Sequence, residues 1–63
     1  MAKLAEYKFT DYEGYIAAYN RLPSTGINGS SYGSYYYISI YDDCAEPKEA
    51  GQICRANGGE ACN

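Results

Sequence analysis

The chain has 63 residues, enough for a single domain over residues 1–63 but too few for a large hydrophobic core. Its net charge is −3, and the whole excess lies in residues 42–63, where five acidic residues stand against two basic ones. This balance argues against a nucleic acid or an anionic membrane as a direct partner and leaves a basic protein surface as the favoured one.

The composition also limits the core. Leucine, isoleucine and phenylalanine together contribute only eight side chains, there is no valine, and tyrosine occurs nine times. We therefore expect a thin core with half-buried tyrosine rings around it, because a phenolic hydroxyl needs water or a hydrogen-bond partner.

The first segment with a clear period is residues 3–9. Apolar and charged side chains alternate there, which predicts a half-buried strand, and Leu4 breaks the alternation at its start. A helix over 11–21 follows. Thr10 and Glu13 match a capping box, and Leu22-Pro23 ends the helix. The side chains expected to pack on the sheet recur with helical spacing: Tyr12, Tyr15, Ile16 and Tyr19.

Residues 23–34 carry no charge and are rich in glycine and serine, which predicts a loop. Asn28-Gly29 is a favourable pair for a type I′ turn, so a short hairpin around it is an open alternative. Residues 35–41 then form the strongest predicted strand, with Tyr36, Ile38 and Ile40 on one face.

A second helix is predicted over 47–57, with Pro47 at its first position and Asn57-Gly58-Gly59 at its end. The expected order is strand, helix, strand, helix. The predicted fold class is α+β, a small two- or three-stranded sheet packed with two short helices.

The three cysteines do not suit a single metal site. Cys44 precedes the second helix and Cys54 lies near its end, about 10 Å or more away, which argues against a disulfide between them. A turn at Gly58-Gly59 leaves Cys54 and Cys62 as the pair that a disulfide could join. Free thiols are the favoured interpretation, since three cysteines and no secretory signal indicate a cytoplasmic protein.

No catalytic group emerges from the motifs. Residues 29–33 match the nucleophile-elbow pattern G-x-S-x-G, but the chain has no histidine to accept a proton from Ser31. The segment also leads into a strand rather than a helix. We expect a protein that is not an enzyme and that uses no cofactor and no metal.

The tyrosines and carboxylates that follow the loop form the candidate binding site. Tyr35, Tyr37 and Tyr41 share the face of the 35–41 strand opposite the isoleucines, where tyrosine makes an effective interface anchor. An acidic cluster begins where that strand ends and would attract a basic partner. The predicted partner-binding residues are Tyr35, Tyr37, Tyr41, Asp42, Asp43, Glu46 and Glu49.

In size, acidity and composition the chain resembles the small inhibitors encoded by phages and mobile elements, such as anti-CRISPR and anti-restriction proteins. This resemblance implies a protein that works in the host cytoplasm and blocks a basic nucleic-acid-binding complex, by steric occlusion or by partial DNA mimicry. Two alternatives stay open: a structural or regulatory subunit or homodimer that uses the tyrosine-rich strand face, and a secreted peptide stabilised by a disulfide.

Overall fold

A computed structural model describes residues 2–62. Its elements, in chain order, are β1 (Lys3–Phe9), α1 (Tyr12–Arg21), β2 (Ile27–Tyr32), β3 (Tyr35–Tyr41), α2 (Pro47–Ala56) and β4 (Glu60–Cys62). The four strands form one sheet in the order β2-β3-β1-β4, and each neighbouring pair is antiparallel. This is the split βαβ, or ferredoxin-like, arrangement. The α+β class is confirmed, but the sheet has four strands rather than two or three.

The two predicted strands, β1 and β3, are confirmed and pair with each other at the centre of the sheet. Tyr7 lies opposite Ile38 and Phe9 opposite Tyr36, so the apolar sets of both strands share one face. The register shifts between Lys3 and Ala5, which leaves Leu4 exposed in a bulge. This bulge explains why the alternation of apolar and charged residues breaks at Leu4.

The prediction of a loop over 23–34 is wrong in its second half, because residues 27–32 form β2. The chain turns at Gly33-Ser34, where Gly33 has a φ of 63°, and not at Asn28-Gly29. Gly29 lies inside β2 beneath two rings of α1. A Cβ atom on it would stand 2.4 Å from the hydroxyl of Tyr15. This glycine therefore permits a close approach rather than a turn.

Helix α1 begins one residue later than the capping-box prediction. Its N-cap is Asp11, whose Oδ1 accepts a hydrogen bond from the Glu13 backbone N–H at 3.3 Å. The prediction of a capping box with Thr10 as the N-cap is therefore wrong. Asp11 takes over because it has the extended backbone conformation that an N-cap needs, and its carboxylate reaches the same turn.

The buried side of α1 also differs from the predicted face. Ala18 is fully buried, and Tyr15 and Leu22 pack against the core beside it. Tyr12 and Tyr19 do reach the sheet, where Tyr12 packs edge-on against Tyr36 and Tyr19 lies over Gly29, but both stay partly in water. Ile16 is only half-buried and lies outside the core cluster. Tyrosine rings are long enough to reach the sheet from the flanks of the helix, so the small Ala18 takes the central position.

Helix α2 ends one residue before the predicted boundary, and strand β4, which follows it, was not predicted. Gly58, with a φ of 94°, turns the chain, and the Gly59 N–H donates to the Cys54 carbonyl at 2.8 Å. The sequence does not predict β4, because three residues are too few for an alternating pattern to be recognised. The strand is defined by its antiparallel pairing with β1.

The core lies between the helices and one face of the sheet. Both helices contact β1 and β3 on the side that carries the buried isoleucines. The fully or largely buried side chains are Tyr7, Phe9, Ala18, Ile38, Ile40, Cys44, Ala50 and Cys54. Tyrosine rings surround this small core. Tyr15 stacks on Tyr36 at a centroid distance of 5.3 Å, and burial raises the pKa of Tyr15 with help from Tyr19 and Tyr12.

The position of the core can be tested by making the same substitution at Ile38, inside the core cluster, and at Ile16, outside it. Ile38→Ala should lower the free energy of unfolding by about 2–5 kcal/mol, the usual cost of a cavity at a fully buried site. Ile16→Ala should cost clearly less, because that side chain is partly in water already. Urea denaturation followed by circular dichroism measures both, and equal losses would show that Ile16 belongs to the core.

Candidate functional site

The face of the sheet opposite the helices carries the predicted tyrosines, and we call it the open face. Within residues 2–62 both helices pack on the other side. Side chains alternate along each strand, so the pairing places these residues on the open face: Lys3, Glu6, Lys8, Asn28, Ser30, Tyr32, Tyr35, Tyr37, Ser39, Tyr41, Glu60 and Cys62.

Three tyrosines gather at the hairpin end of this face. Tyr35 lies directly opposite Tyr32 across the turn, and Tyr37 follows two residues along β3 with Ser30 opposite it. Tyr32 is 81% exposed, more than any other large hydrophobic residue among those described, and Tyr35 is 39% exposed. The sequence prediction missed Tyr32 because it assigned that residue to a loop.

Tyr41 lies on the same face but apart from the other three. It stands four positions beyond Tyr37, about 13 Å along the strand. The intervening Ser39 is almost fully buried, and its hydroxyl donates to Glu6 Oε2 at 3.5 Å. The predicted row is therefore a cluster of Tyr32, Tyr35 and Tyr37 with a separate Tyr41.

The charges on the open face are mixed. The Lys8 ammonium lies 4.6 Å from the centroid of the Tyr35 ring, a cation–π contact, and Lys8 pairs across the ladder with Glu60. At the other end, Lys3 Nζ lies 3.3 Å from Glu6 Oε1. Two lysines are thus set against two glutamates, so the face itself is neither acidic nor basic.

The predicted acidic cluster divides between two parts of the molecule. Asp42 and Asp43 directly follow Tyr41 and are exposed. Asp42 is held in place by the start of the chain, because its Oδ2 accepts from the Ala2 backbone N–H at 3.1 Å. Asp43 lines a groove with Tyr41 and Ile27.

Glu46 and Glu49 lie on the helix side. They line a second groove with Arg21 and Leu22, where the end of α1 meets the start of α2. Only Asp42 and Asp43 are therefore placed beside a tyrosine of the open face. The acidic residues are close in sequence, but the chain turns from the sheet into the helix layer between them.

The cysteines are all free thiols, and the structure contradicts a disulfide between Cys54 and Cys62. Cys54 is a fully buried residue of α2 and faces the core, whereas Cys62 lies on the open face and its thiol donates to the Glu6 carbonyl at 3.4 Å. The sheet separates them, because β4 places Ala61 and not Cys62 toward the core. Burial raises the pKa of Cys54 from its ordinary value of 9.0 to about 11.

The structure also places the G-x-S-x-G segment of residues 29–33 and the arginine of α2. Ser31 lies near the end of β2, which is an outer strand of the sheet. Arg55 lies beside a groove on the helix side, where its Nη1 donates to the Tyr7 hydroxyl at 2.9 Å. In the described part of the chain, no group of three or more metal-ligating side chains comes together. Neither of the two helices there has the length and apolar character needed to cross a bilayer.

Comparison with known proteins gives no relative: no family model, no curated protein and no solved structure matches the chain. The function must therefore be argued from the open face and its charges.

The separation of the cysteines predicts their order of reaction. In the native protein, iodoacetamide should modify Cys62 first, because Cys44 and Cys54 are buried whereas Cys62 is partly exposed. Burial raises the pKa of both Cys54 and Cys62, so exposure sets the order of reaction. Mass spectrometry of peptides after short labelling measures this, with labelling in urea as the control that exposes all three. Equal native labelling of Cys54 and Cys62 would contradict the described burial.

Proposed function

We propose that this protein is a non-catalytic binding module that attaches to another protein through its open face. The observation that carries the proposal is the cluster of Tyr32, Tyr35 and Tyr37 on a sheet face that no helix of residues 2–62 covers. Tyrosine supplies a large, rigid contact area and a hydroxyl at low entropic cost, and it is enriched among the residues that dominate binding energy.

The charges favour a basic protein as the partner. Asp42 and Asp43 project at the Tyr41 end of the sheet, and the chain as a whole carries −3. A partner that covers the open face would meet these carboxylates at the rim of the contact, where charge chiefly speeds association.

The function we infer is inhibition of a basic nucleic-acid-binding complex, in the manner of anti-CRISPR proteins, within the cytoplasm of the host cell. The open face has balanced charge, so steric occlusion by the tyrosine cluster suits these residues better than DNA mimicry. The same balance disfavours direct binding of single-stranded nucleic acid, since base-stacking sheets need a positive surround.

The tyrosine cluster can be tested by a DNA-binding competition. Purified CRISPR surveillance and restriction complexes are mixed with labelled target DNA, and mobility shift records whether this protein displaces the DNA. For a complex that it inhibits, Tyr37→Ala should weaken inhibition about tenfold or more, as expected for an interface anchor. Tyr12→Ala is the matched control, because Tyr12 is an exposed tyrosine on α1 and should leave inhibition unchanged.

Three outcomes would count against the proposal. These are equal losses from Tyr37→Ala and Tyr12→Ala, unfolding caused by Tyr37→Ala, and direct binding of the labelled nucleic acid by this protein alone. The first would place the contact elsewhere, the second would make Tyr37 part of the core, and the third would replace a protein partner with a nucleic acid.

The two aspartates should act on the rate rather than on the lifetime of the complex. Asp42→Asn combined with Asp43→Asn should slow association and flatten its dependence on ionic strength, because rim charges steer the encounter. Glu46→Gln with Glu49→Gln removes the same charge on the helix side and serves as the control. Surface plasmon resonance at several salt concentrations gives both rates, and equal effects of the two pairs would argue against docking at the Tyr41 end.

A further inference from the structure

Strand β2 forms one outer edge of the sheet. It pairs with β3 along Ile27–Tyr32 without a register shift, and no strand of residues 2–62 pairs with its other side. An edge of this kind presents backbone N–H and C=O groups that can template another strand.

The hydrogen bonds identify the free groups. The Tyr41 N–H donates to the Gly26 carbonyl at 2.8 Å, so these two residues form a hydrogen-bonded pair. Such pairs alternate along an antiparallel ladder. With this register, the backbone groups of Asn28, Ser30 and Tyr32 face β3. Those of Ile27, Gly29 and Ser31 point outward from the sheet.

This edge lacks the features that usually prevent strand addition. Natural edge strands carry charges, prolines or bulges, or they are very short. Strand β2 has six residues, no proline and no bulge, and the sequence from 22 to 41 contains no charged side chain. The opposite edge is different, since β4 has only three residues and carries Glu60.

We propose that two copies of this chain pair through β2 as an antiparallel dimer, with Gly29 of each copy on the twofold axis. The three outward residues are spaced symmetrically about Gly29. Ile27 of one copy would therefore lie opposite Ser31 of the other, and Gly29 opposite its own equivalent. Every outward group would then find a partner, giving six backbone hydrogen bonds and one sheet of eight strands.

A second copy fits this edge better than a foreign strand does. The edge is self-complementary, and it brings no like charges together although each copy carries −3. On the open face, Asn28 would lie opposite Ser30 of the second copy, so small polar side chains flank the axis. The pairing uses backbone groups rather than the tyrosine cluster, so it stands independently of the proposed inhibitory function.

Sedimentation equilibrium of the full chain from about 10 μM to 1 mM tests the pairing. Ser31→Pro removes an outward N–H and no bond to β3, so the monomer should keep its fold. The dimer loses two of its six bonds, and its dissociation constant should rise about tenfold or more. Ser31→Ala is the matched control, since it also lacks the hydroxyl but keeps the N–H, and it should dimerise like the parent chain.

A pair of charge variants tests the register without relying on proline. Asn28→Lys with Ser30→Lys places lysines opposite lysines across the axis, and Asn28→Asp with Ser30→Asp does the same with carboxylates. Each variant should be monomeric alone, and an equimolar mixture should recover the dimer. Both positions are exposed, so circular dichroism should show an intact fold.

Amide hydrogen exchange supplies a readout of the edge itself. On going from dilute to concentrated protein, the amides of Ile27, Gly29 and Ser31 should gain protection. The amides of Asn28, Ser30 and Tyr32 bond to β3 and should stay protected throughout. A parent chain that is monomeric at 1 mM would overturn the proposal. A dimer that Ser31→Pro and the charge variants leave intact would also overturn it and place the contact on another surface.

Discussion

The antiparallel pairing of β1 with β3 is the constraint on which the rest of this structure depends. It places Tyr7 opposite Ile38 and Phe9 opposite Tyr36, so that the apolar side chains of two central strands share one face. A slip of one residue would turn the fully buried Ile38 and Ile40 toward water. Because the pairing is at the centre of the sheet, it also determines which face the helices cover and which face stays open.

A core with so few aliphatic side chains is completed by rings packed against very small residues. Ala18 and Ala50 are fully buried where the helices meet the core. A Cβ atom on Gly51 would lie 2.7 Å from the Tyr7 hydroxyl, and one on Gly59 would lie 2.7 Å from the Phe9 ring. Tyrosine thus fills volume that leucine or valine would occupy in a larger domain, while its hydroxyl reaches water or Arg55.

Two surfaces of the sheet take no part in the core: the open face and the outer edge of β2. The open face presents a cluster of three tyrosines, a separate Tyr41 and balanced charge, and the edge of β2 presents unpaired backbone groups in a segment without charge. Side-chain contact on the face and backbone pairing at the edge are chemically different, although Asn28, Ser30 and Tyr32 of β2 belong to both surfaces. A dimer formed at the edge would extend the open face across two copies and double the number of tyrosines available to a partner.

Several features followed from local sequence alone. Alternation in residues 3–9 and 35–41 predicted both central strands at their observed limits, and helical spacing with Leu22-Pro23 predicted α1 to within one residue. The placement of Tyr35, Tyr37 and Tyr41 on one face follows from the same period of two. These elements are long enough for a pattern to repeat several times, and their propensities agree with their tertiary positions.

The tertiary structure decided what local patterns could not. Strand β2 has a loop-like composition and β4 has only three residues. Each forms a strand because it pairs with a central strand, β2 with β3 and β4 with β1. The sequence pattern predicts a turn at Gly29, but this glycine lies within β2 and leaves room for the tyrosine rings of α1 that cross the sheet. The acidic residues and Cys54 with Cys62 are near neighbours in sequence, yet they separate onto different sides of the sheet. Which side chains meet depends on pairing between distant segments, and that pairing is a property of the whole domain.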